Sequence, residues 1–351
     1  MVDYLVVGLG LAGMAFCESL EQHGRSFLCI SDASQQASIV AGGLYNPVIL
    51  KRFTPAWMAQ EQMEMALPFY GRLEDKLQVP LDYKLRVLRR FTSVEEQNNW
   101  FQAADRPRLK PFLSLNILEN HNPLLDAPFG FGEVLHTGRV DTKALLLAYW
   151  EYLRKKGQLL EYTFDYSLLE VIEGEIRYKG VTARNLVFAS GYGLKENPYF
   201  NYLPLNGTKG ELLTIHAVDL KEENVIKSSV FIIPLGNDLY RVGATYKWKD
   251  KTNTPTEESR LELLEKLDTF LKADYEVVAH VAGIRPTVAD RRPLLGRHPK
   301  HANVYVLNGF GSRGVLIAPY AANQLWDYIE NGNPLHPEMD ISRFSKKYNP
   351  V

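Results

Sequence analysis

Two glycine-rich turns of the pattern Gly-x-Gly-x-x-Gly, near opposite ends of the 351-residue sequence, are the segments best suited to chemistry. The first spans Gly8–Gly13 and the second Gly309–Gly314. A turn of this kind lets the backbone approach a phosphate closely, at the positive end of the helix that follows. Together, the two copies indicate one long cofactor held from both termini, with its diphosphate at the first turn and its redox ring at the second.

The residues around the first turn predict the elements that would position it. An apolar strand, Asp3–Val7, precedes it, and a helix from Leu11 to about Gln22 follows and ends at Gly24. A second strand leads to Asp32, about 20 residues after the glycines, where a carboxylate can accept hydrogen bonds from ribose hydroxyls. Isolated glycine motifs also arise by chance, but the complete strand-turn-helix-strand-acid unit favours a dinucleotide.

Composition narrows the class of protein. The chain has 46% hydrophobic residues, with 40 basic and 41 acidic side chains, so no net field favours nucleic acid or an anionic membrane. The two cysteines, Cys17 and Cys29, both fall at predicted core positions and favour a reducing compartment. The first strand begins close to Met1, and no apolar run is long enough to span a bilayer. We therefore expect a cytoplasmic protein without a membrane partner.

Beyond the first unit, two segments return to the same predicted domain. Asp141 is placed to cap a helix from Thr142 to about Lys156, and a strand-rich stretch from 159 to 180 follows. Residues 183–191 then form an apolar run that ends in a glycine and predicts a buried strand.

Two insertions, one before and one after these segments, interrupt the predicted domain. Residues 51–136 are predicted to be helical, with a capping box at Ser93 and Glu96, whereas 204–282 alternate like antiparallel strands before a helix near Glu257. Length also favours two domains. We predict a cofactor domain of residues 1–50, 137–203 and 283–351, and a substrate-binding domain of 51–136 and 204–282, with the substrate at their junction.

An ordered series of motifs along nearly the whole chain resembles the FAD-dependent D-amino acid oxidase superfamily, in particular its glycine and sarcosine oxidase branch. The motifs are the first glycine turn, residues 37–43, Gly138–Asp141, Ala189–Gly191, Gly207–Glu211, Gly243–Thr245, Ala282–Pro286 with Asp290 and 293–296, and the second glycine turn. Residues 43–47, 311–314 and 318–319 also resemble the oxidase half of the bifunctional tRNA methylaminomethyl-thiouridine enzymes, and we expect no counterpart of their methyltransferase half in this sequence.

The resemblance implies an α/β (α+β) fold, in which a Rossmann-like FAD-binding domain of the glutathione reductase and D-amino acid oxidase type carries a substrate domain built on an antiparallel sheet. It implies FAD, and because no cysteine lies near 285–290, we expect the FAD to be noncovalent. The helix near Gly314 would direct its positive end at the anionic edge of a reduced flavin. No metal site is expected. The residues expected to bind FAD are Gly8, Gly10, Leu11, Ala12, Gly13, Ser31, Asp32, Ser38, Ala41, Gly42, Gly43, Leu44, Asp165, Ala189, Ser190, Gly191, Arg285, Gly309, Gly311, Ser312, Arg313, Gly314 and Val315.

Members of this family transfer a hydride from the α-carbon of a neutral amine to flavin N5, and water hydrolyses the resulting imine. Arg285 matches the family's carboxylate-binding arginine; the alternative is an ion pair with a structural acid such as Asp290. Arg313, in the second turn, is a further candidate, the alternative being a solvated or paired side chain. Tyr246 matches an active-site position, and Arg241 on the same strand could assist oxygen reduction, although a register shift of one residue would reverse both side chains.

Three functions are compatible with these residues. The first is oxidation of a small amino acid or N-substituted glycine, with O2 or another acceptor taking the electrons. The second applies the same chemistry to a carboxymethylaminomethyl group on tRNA. The third is a flavin-binding protein without turnover. Only one basic run favours RNA, and we consider a solvated face balanced by acids the better interpretation of it. This run comprises Lys84, Arg86, Arg89, Arg90, Arg106, Arg108 and Lys110. The sequence does not determine the oligomeric state.

Overall fold

The protein, described here by a computed structural model, is a mixed α/β structure covering residues 1–32 and 34–348. Its helices are α1 (Leu11–Gln22), α2 (Ala59–Leu77), α3 (Val94–Ala104), α4 (Thr142–Lys155), α5 (Glu257–Asp268) and α6 (Gly314–Asn331). Its strands are β1 (Val2–Val7), β2 (Phe27–Ile30), β3 (Leu44–Tyr45), β4 (Val48–Ile49), β5 (Thr54–Pro55), β6 (Asp82–Tyr83), β7 (Val87–Arg90), β8 (Leu113–Leu118), β9 (Phe131–Val134), β10 (Gly138–Val140), β11 (Leu159–Leu160), β12 (Leu169–Ile172), β13 (Glu175–Tyr178), β14 (Val181–Phe188), β15 (Thr208–His216), β16 (Val225–Lys227), β17 (Phe231–Gly236), β18 (Leu239–Gly243), β19 (Glu276–Arg285), β20 (Leu294–Arg297) and β21 (Val304–Asn308).

The first large sheet has the strands of a dinucleotide-binding fold at its centre. β1 lies between β2 and β14, and β14 also pairs with β21, all in parallel. Because such strands are covered on both faces, they are apolar throughout rather than alternating. In β1, Tyr4, Leu5 and Val6 are all fully buried. β12 and β13 extend the sheet in antiparallel fashion on one side, and β11 extends it on the other.

The second large sheet has eight strands in the order β19-β15-β18-β17-β16-β7-β9-β8. All of its pairs are antiparallel except β16 with β7, which pair in parallel. That pair joins the two predicted insertions into one sheet. The expectation that residues 51–136 are helical was therefore incomplete, since this segment supplies α2 and α3 but also β5 to β9. These strands are short, and β7 contains the adjacent Arg89 and Arg90, so no alternation marks them.

The strands of the two sheets can be placed along the segments predicted for the two domains, and the division into domains stays a prediction. β1, β2, β11 to β14, β20 and β21 all fall within 1–50, 137–203 and 283–351. β19 crosses the boundary at 283, because it begins in the substrate-binding segment and ends at Arg285. A small sheet of β3, β10 and β6 also contains strands from both sets.

Local signals in the sequence fix the ends of several helices. Asp141 Oδ1 accepts a hydrogen bond from Ala144 N at 3.1 Å, so the predicted cap of α4 is confirmed. Ser93 Oγ likewise accepts from Glu96 N at 3.2 Å. The reciprocal bond of the capping box differs from expectation, because the Glu96 carboxylate accepts from Thr92 N at 2.9 Å rather than from Ser93.

Helices α1 and α6 pack against each other beside the first sheet, and α2 packs on α6. The Tyr70 hydroxyl of α2 donates to Val315 O at 2.7 Å and ties that helix to the first turn of α6. Cys17 and Cys29 are both buried and free, in the core positions predicted for them. Within residues 1–32 and 34–348, no helix has the length and hydropathy needed to traverse a bilayer.

Candidate active site

A cavity of about 710 Å³ extends between the first sheet and the second. It brings together most of the residues that the sequence predicts to bind the cofactor. Those that line it are Gly8, Gly10, Leu11, Ala12, Ser31, Asp32, Ser38, Ala41, Gly42, Gly43, Leu44, Ala189, Ser190, Gly191, Arg285, Gly311, Ser312, Gly314 and Val315. The predicted residues that do not line it are Gly13, Asp165, Gly309, Arg313, Tyr246 and Arg241.

The first glycine turn is packed so tightly that side chains are excluded from it. Gly8 has φ +102°, and a Cβ built on it would lie 2.6 Å from Ala189 O. A Cβ on Gly13 would lie 1.8 Å from Gly8 O. Gly13, which the sequence predicts to bind FAD, therefore packs behind the turn, where a glycine allows close helix-sheet packing, and does not line the cavity.

The start of α1 offers backbone donors to the cavity. Its N-cap residue is Gly10, which has no side chain to accept from the first turn. Leu11 N donates to Ser38 Oγ at 3.2 Å. Because the first amides of a helix have no partners within the helix, the other N–H groups at this end are available to an anion, and the helix dipole favours one. This geometry fits a diphosphate.

Asp32 lines the cavity beyond this turn, where the sequence predicts contacts with a ribose. Its Oδ1 accepts from Ser34 N at 3.0 Å, and its Oδ2 accepts from Thr163 Oγ1 at 2.9 Å. Partial burial opposes ionisation, but these hydrogen bonds outweigh it and lower the pKa of the Asp32 carboxyl. The group is thus held as an anion with free lone pairs, which suits the acceptor of a hydroxyl hydrogen bond.

Several residues at this end of the cavity were not predicted from the sequence. Trp150, Tyr162, Phe164 and Tyr166 line it, whereas the predicted Asp165 points elsewhere. Asp165 is exposed and caps a short turn by accepting from Ser167 N at 3.0 Å. The alternation of aromatic and polar residues along this segment could have indicated that the aromatic side chains, and not Asp165, face the cavity.

The second glycine turn lies directly beside the first. A Cβ on Gly314 would lie 3.1 Å from Leu11 Cδ1, so helices α1 and α6 begin next to each other. Gly309 and Gly311 have φ values of +82° and +57°, which glycine adopts readily. The N-cap of α6 is Arg313, whose side chain makes no capping hydrogen bond. The cavity wall at Gly314 is therefore also a positive helix end.

One buried hydroxyl in the cavity wall is available to a polar ligand. Ser190 lines the cavity, and its Oγ is buried without a hydrogen-bond partner in the described part of the chain. Such a group is costly unless something pairs with it. Two adjacent helix N-termini, an ionised Asp32 and this hydroxyl together fit the diphosphate, ribose and flavin of an FAD molecule.

Arg285, at the end of β19, lines the same cavity. A Cβ built on Gly210 would lie 2.0 to 2.2 Å from Nη2, Cζ and Nη1 of Arg285, so the guanidinium lies flat on the backbone of Gly210. Its Nη1 donates to Thr245 O at 3.2 Å, and its Cζ lies 5.5 Å from the centre of the Tyr246 ring. Burial lowers the pKa of Arg285, although the group remains a cation at neutral pH.

No carboxylate in the described part of the chain lies within ion-pair distance of Arg285. The alternative partner, Asp290, accepts instead from Arg343 Nε at 3.0 Å. Arg285 is also adjacent to the second glycine turn, since Gly311 N donates to Pro286 O at 3.1 Å. The cavity therefore holds an uncompensated guanidinium next to the start of α6.

A buried ion-pair network holds the strands beneath Arg285. Lys209 is fully buried, and its Nζ lies 2.5 Å from Asp250 and 3.4 Å from Glu211. The Glu211 carboxylate in turn accepts from Thr256 N at 2.8 Å, and the Glu211 backbone N–H donates to Thr245 Oγ1 at 2.9 Å. This network fixes Thr245, whose carbonyl orients Arg285.

The close contact between Gly210 and Arg285 leads to a first prediction. We expect Gly210→Ala to raise the KM for a carboxylate substrate by about tenfold or more, because the added methyl group must displace the guanidinium. FAD content should not change, since no FAD-facing helix end is touched. Steady-state kinetics with flavin absorbance would measure both, with Gly71→Ala as control because a Cβ there meets nothing within 4 Å. An unchanged KM would show that Arg285 does not set substrate affinity.

The other three candidate catalytic residues lie outside the cavity wall. Arg313 Nη2 is buried without a hydrogen-bond partner among the described residues, and burial together with Arg292 lowers the pKa of Arg313 to about 10. Tyr246 is 37% exposed, and its hydroxyl accepts from Arg291. Arg241 lies on β18, beside residues that do line the cavity. Their roles stay predictions.

Comparisons with known proteins agree with this geometry. Residues 3–327 match the family model described as "FAD dependent oxidoreductase", the DAO family. The glycine oxidase of Pseudomonas aeruginosa is 23% identical over 94% of this chain and 95% of its own length. The glycine oxidase of Bacillus subtilis is 30% identical over 43% of this chain and 42% of its own. The crystal structure of glycine oxidase from Geobacillus kaustophilus superposes with a TM-score of 0.77 at 19% identity, covering 98% of this chain and 97% of that one.

A second kind of relative is the tRNA 5-methylaminomethyl-2-thiouridine biosynthesis bifunctional protein MnmC of Aromatoleum aromaticum. It is 27% identical over 44% of this chain. The chain thus spans less than half the length of some curated relatives that it matches, and only 28% of this one. The predicted family, fold class and FAD cofactor are confirmed, while noncovalent attachment stays a prediction. Because the family model covers most of the chain, the protein belongs to the DAO family of FAD-dependent oxidoreductases.

Proposed function

We propose that the protein oxidises the C–N bond of a small amino acid or N-substituted glycine. The observation that carries this proposal is the Arg285 guanidinium, which lies in the cavity wall next to the second glycine turn without a carboxylate partner among the described residues. A planar guanidinium is suited to bind a carboxylate through two parallel hydrogen bonds. It would hold an amino acid by the group that does not react.

FAD, when bound, would accept a hydride, which is one proton with two electrons, from the α-carbon and would later pass the electrons to O2 or another acceptor. The residues that would hold it are those of the two glycine turns, together with Asp32 and Ser190. The substrate loses its α-hydrogen as hydride while the nitrogen lone pair forms the C=N bond of an iminium. Water then adds to the iminium carbon and releases an oxo acid and ammonium or a protonated amine.

The chain's own contribution to this reaction is placement. Gly210 and Thr245 O keep the Arg285 guanidinium at one height above the sheet, so that the carboxylate fixes the distance of the α-carbon from the cofactor. No titratable residue is needed as a general base if the amine arrives neutral. The names of the glycine oxidase relatives support an amine-bearing acid of this size.

The MnmC relatives raise tRNA as an alternative substrate, and the basic run defined above is the surface that would bind its phosphates. Four of its cations are paired with carboxylates: Lys84 with Asp82, Arg86 with Glu133, Arg89 with Glu96, and Arg90 with Asp126. Paired charges offer less to a phosphate backbone than free ones. We therefore propose the small substrate.

A direct test is anaerobic mixing of the yellow holoenzyme with a panel of glycine, sarcosine, D-alanine, D-proline and larger amino acids. We expect at least one to bleach the flavin absorbance, because hydride transfer reduces the cofactor in the absence of an acceptor. Bleaching by none of them would refute the small-substrate proposal. Protein that stays colourless after reconstitution with FAD would refute the cofactor assignment for this chain.

A further inference from the structure

The cavity-facing side of the second sheet carries a second arginine, at a distance from Arg285. Gly210 and Leu212 on β15 and Gly243 on β18 all line the cavity, so this face of the sheet is the one that they share. Arg241 lies two residues before Gly243 on β18. It pairs with Thr214, two residues after Leu212 on β15, and with Ile233 on β17, which itself lines the cavity. Because side chains alternate along a strand, Arg241 belongs to the same face. The strand register thus places Arg241 on the cavity-facing side of the sheet, which the sequence alone did not determine.

Arg241 has no anionic partner of its own. In the described part of the chain it makes no hydrogen bond and no ion pair, and its charged neighbours are Arg139 and Asp141. Both oxygens of Asp141 are already engaged, Oδ2 with Arg139 Nη2 at 2.8 Å and Oδ1 with Ala144 N at 3.1 Å. Burial and repulsion from Arg139 lower the pKa of Arg241. Two guanidiniums therefore share one carboxylate.

The two arginines bracket an apolar floor. The Arg285 guanidinium lies on Gly210, whereas Arg241 is opposite Thr214, four residues further along β15. At a rise of about 3.3 Å per residue these positions are roughly 13 Å apart, and the long arginine side chain shortens the gap. Leu212 lies between these two positions on β15, and Ile233 lies beside Arg241 on β17; both are buried and line the cavity.

Lys227 is a third cationic residue on this face of the sheet. Lys227 on β16 is opposite Phe231, which lines the cavity, and its Nζ lies 4.7 Å from the centre of that ring. Its hydrogen bonds go to backbone carbonyls, and no carboxylate in the described chain pairs with it. Burial and the neighbouring Arg89, Lys266 and Lys51 lower the pKa of Lys227 to about 8.

We propose that the preferred substrate carries a second carboxylate, which Arg241 binds at the far end of this floor. Arg285 would hold the α-carboxylate and Arg241 the distal one, so the substrate class is a dicarboxylic amino acid or an N-(carboxyalkyl)glycine. This inference rests on the proposed function, because it assumes that the α-carboxylate is held by Arg285. An excess of buried positive charge is costly unless an anion compensates it, and the substrate supplies that anion.

Matched substrate pairs test the proposal with the holoenzyme. N-(2-carboxyethyl)glycine is compared with N-propylglycine, and D-glutamate with D-norvaline, since each pair differs by a carboxylate in place of a methyl group. For at least one pair we expect kcat/KM to be tenfold or more higher for the diacid. Arg241→Met should reduce that ratio at least tenfold. The control Arg184→Met, a 60% exposed arginine of β14 that pairs with Asp3, should leave the ratio unchanged.

Binding provides a readout that does not depend on turnover. Glutarate and pentanoate have no amine and cannot be oxidised, so their Kd values can be taken from perturbation of the flavin absorbance. We expect glutarate to bind more tightly than pentanoate, and Arg241→Met to remove the difference. If Arg241→Met leaves both ratios intact, or slows only the reaction of the reduced enzyme with O2, the proposal is wrong.

The outcomes also separate this inference from the proposed function. Efficient oxidation of the monoacids with no preference for diacids would overturn the second carboxylate site and leave the proposed function standing. Failure of every monoacid and diacid to reduce the flavin would overturn the proposed function itself.

Discussion

Arg285→Ala is expected to lower kcat/KM for any carboxylate substrate by roughly 30- to 3,000-fold, while the protein still binds FAD. The range corresponds to the 2–5 kcal/mol that is lost when one partner of a buried charge pair is removed, at 1.4 kcal/mol per tenfold. The physical reason is that no other cation lines the cavity next to the second glycine turn in the described chain. Stopped-flow reduction of the flavin would measure the loss, and flavin absorbance per polypeptide would measure retention of FAD.

Two further variants make this test specific. Arg285→Lys retains the charge but lacks the planar fork that lies on Gly210, so we expect it to restore only part of the lost kcat/KM, chiefly through KM. Arg177→Ala removes an exposed arginine that pairs with Glu175 on β13, and it should change nothing. If Arg285→Ala had no kinetic effect, the protein would be a passive flavin binder or would anchor its substrate elsewhere.

Gly13→Ala is expected to abolish FAD binding and to destabilise the first sheet. Its new methyl group would lie 1.8 Å from Gly8 O, and a backbone atom cannot move aside as a flexible side chain can. Either α1 shifts away from β1 or the turn deforms, and both change the amides that face the cavity. Overpacking of this kind costs about 1–3 kcal/mol. The purified variant should be colourless, with a lower Tm than wild-type apoprotein.

Gly71→Ala is the matched control for this change. Gly71 lies inside α2 with open space around the built Cβ, so alanine should stabilise the protein by about 0.5–1 kcal/mol and leave FAD binding intact. A Gly13→Ala protein with normal flavin absorbance and Tm would contradict the role assigned to the first turn.

The parts of the fold that the sequence predicts are those in which local chemistry decides the structure. Gly8–Gly13, Asp32 and Asp141 stand at fixed positions relative to an adjacent strand or helix, and the structure places them in or beside the elements expected. β7 could not be predicted in this way, because its strand conformation depends on pairing with β16, more than 130 residues later. Pairing partners so far apart leave no periodic trace in either segment.

In the candidate site, too, some residues could be predicted from local sequence and others depend on strand pairing. The two glycine turns could be located from their spacing and flanking elements, although Gly13, Gly309 and Arg313 do not line the cavity. The side on which Arg241 lies depends instead on the register of β15, β18 and β17. Gly210 lies in the motif Gly207–Glu211, whose sequence by itself assigns no role to it. Its contact with Arg285 exists only because β15 and β19 pair, and no property of either segment reveals it.

The strand order of the first sheet has a consequence for how the protein is made. β1, which carries the first glycine turn, pairs with β14, and β14 pairs with β21, which leads into the second turn. During translation, the first glycine turn, which is expected to bind the diphosphate of the coenzyme, leaves the ribosome long before the second turn, which is expected to bind its flavin ring. A nascent chain released before Gly314 would thus lack half of the cradle and should stay flavin-free, however much of its N-terminal portion had already folded.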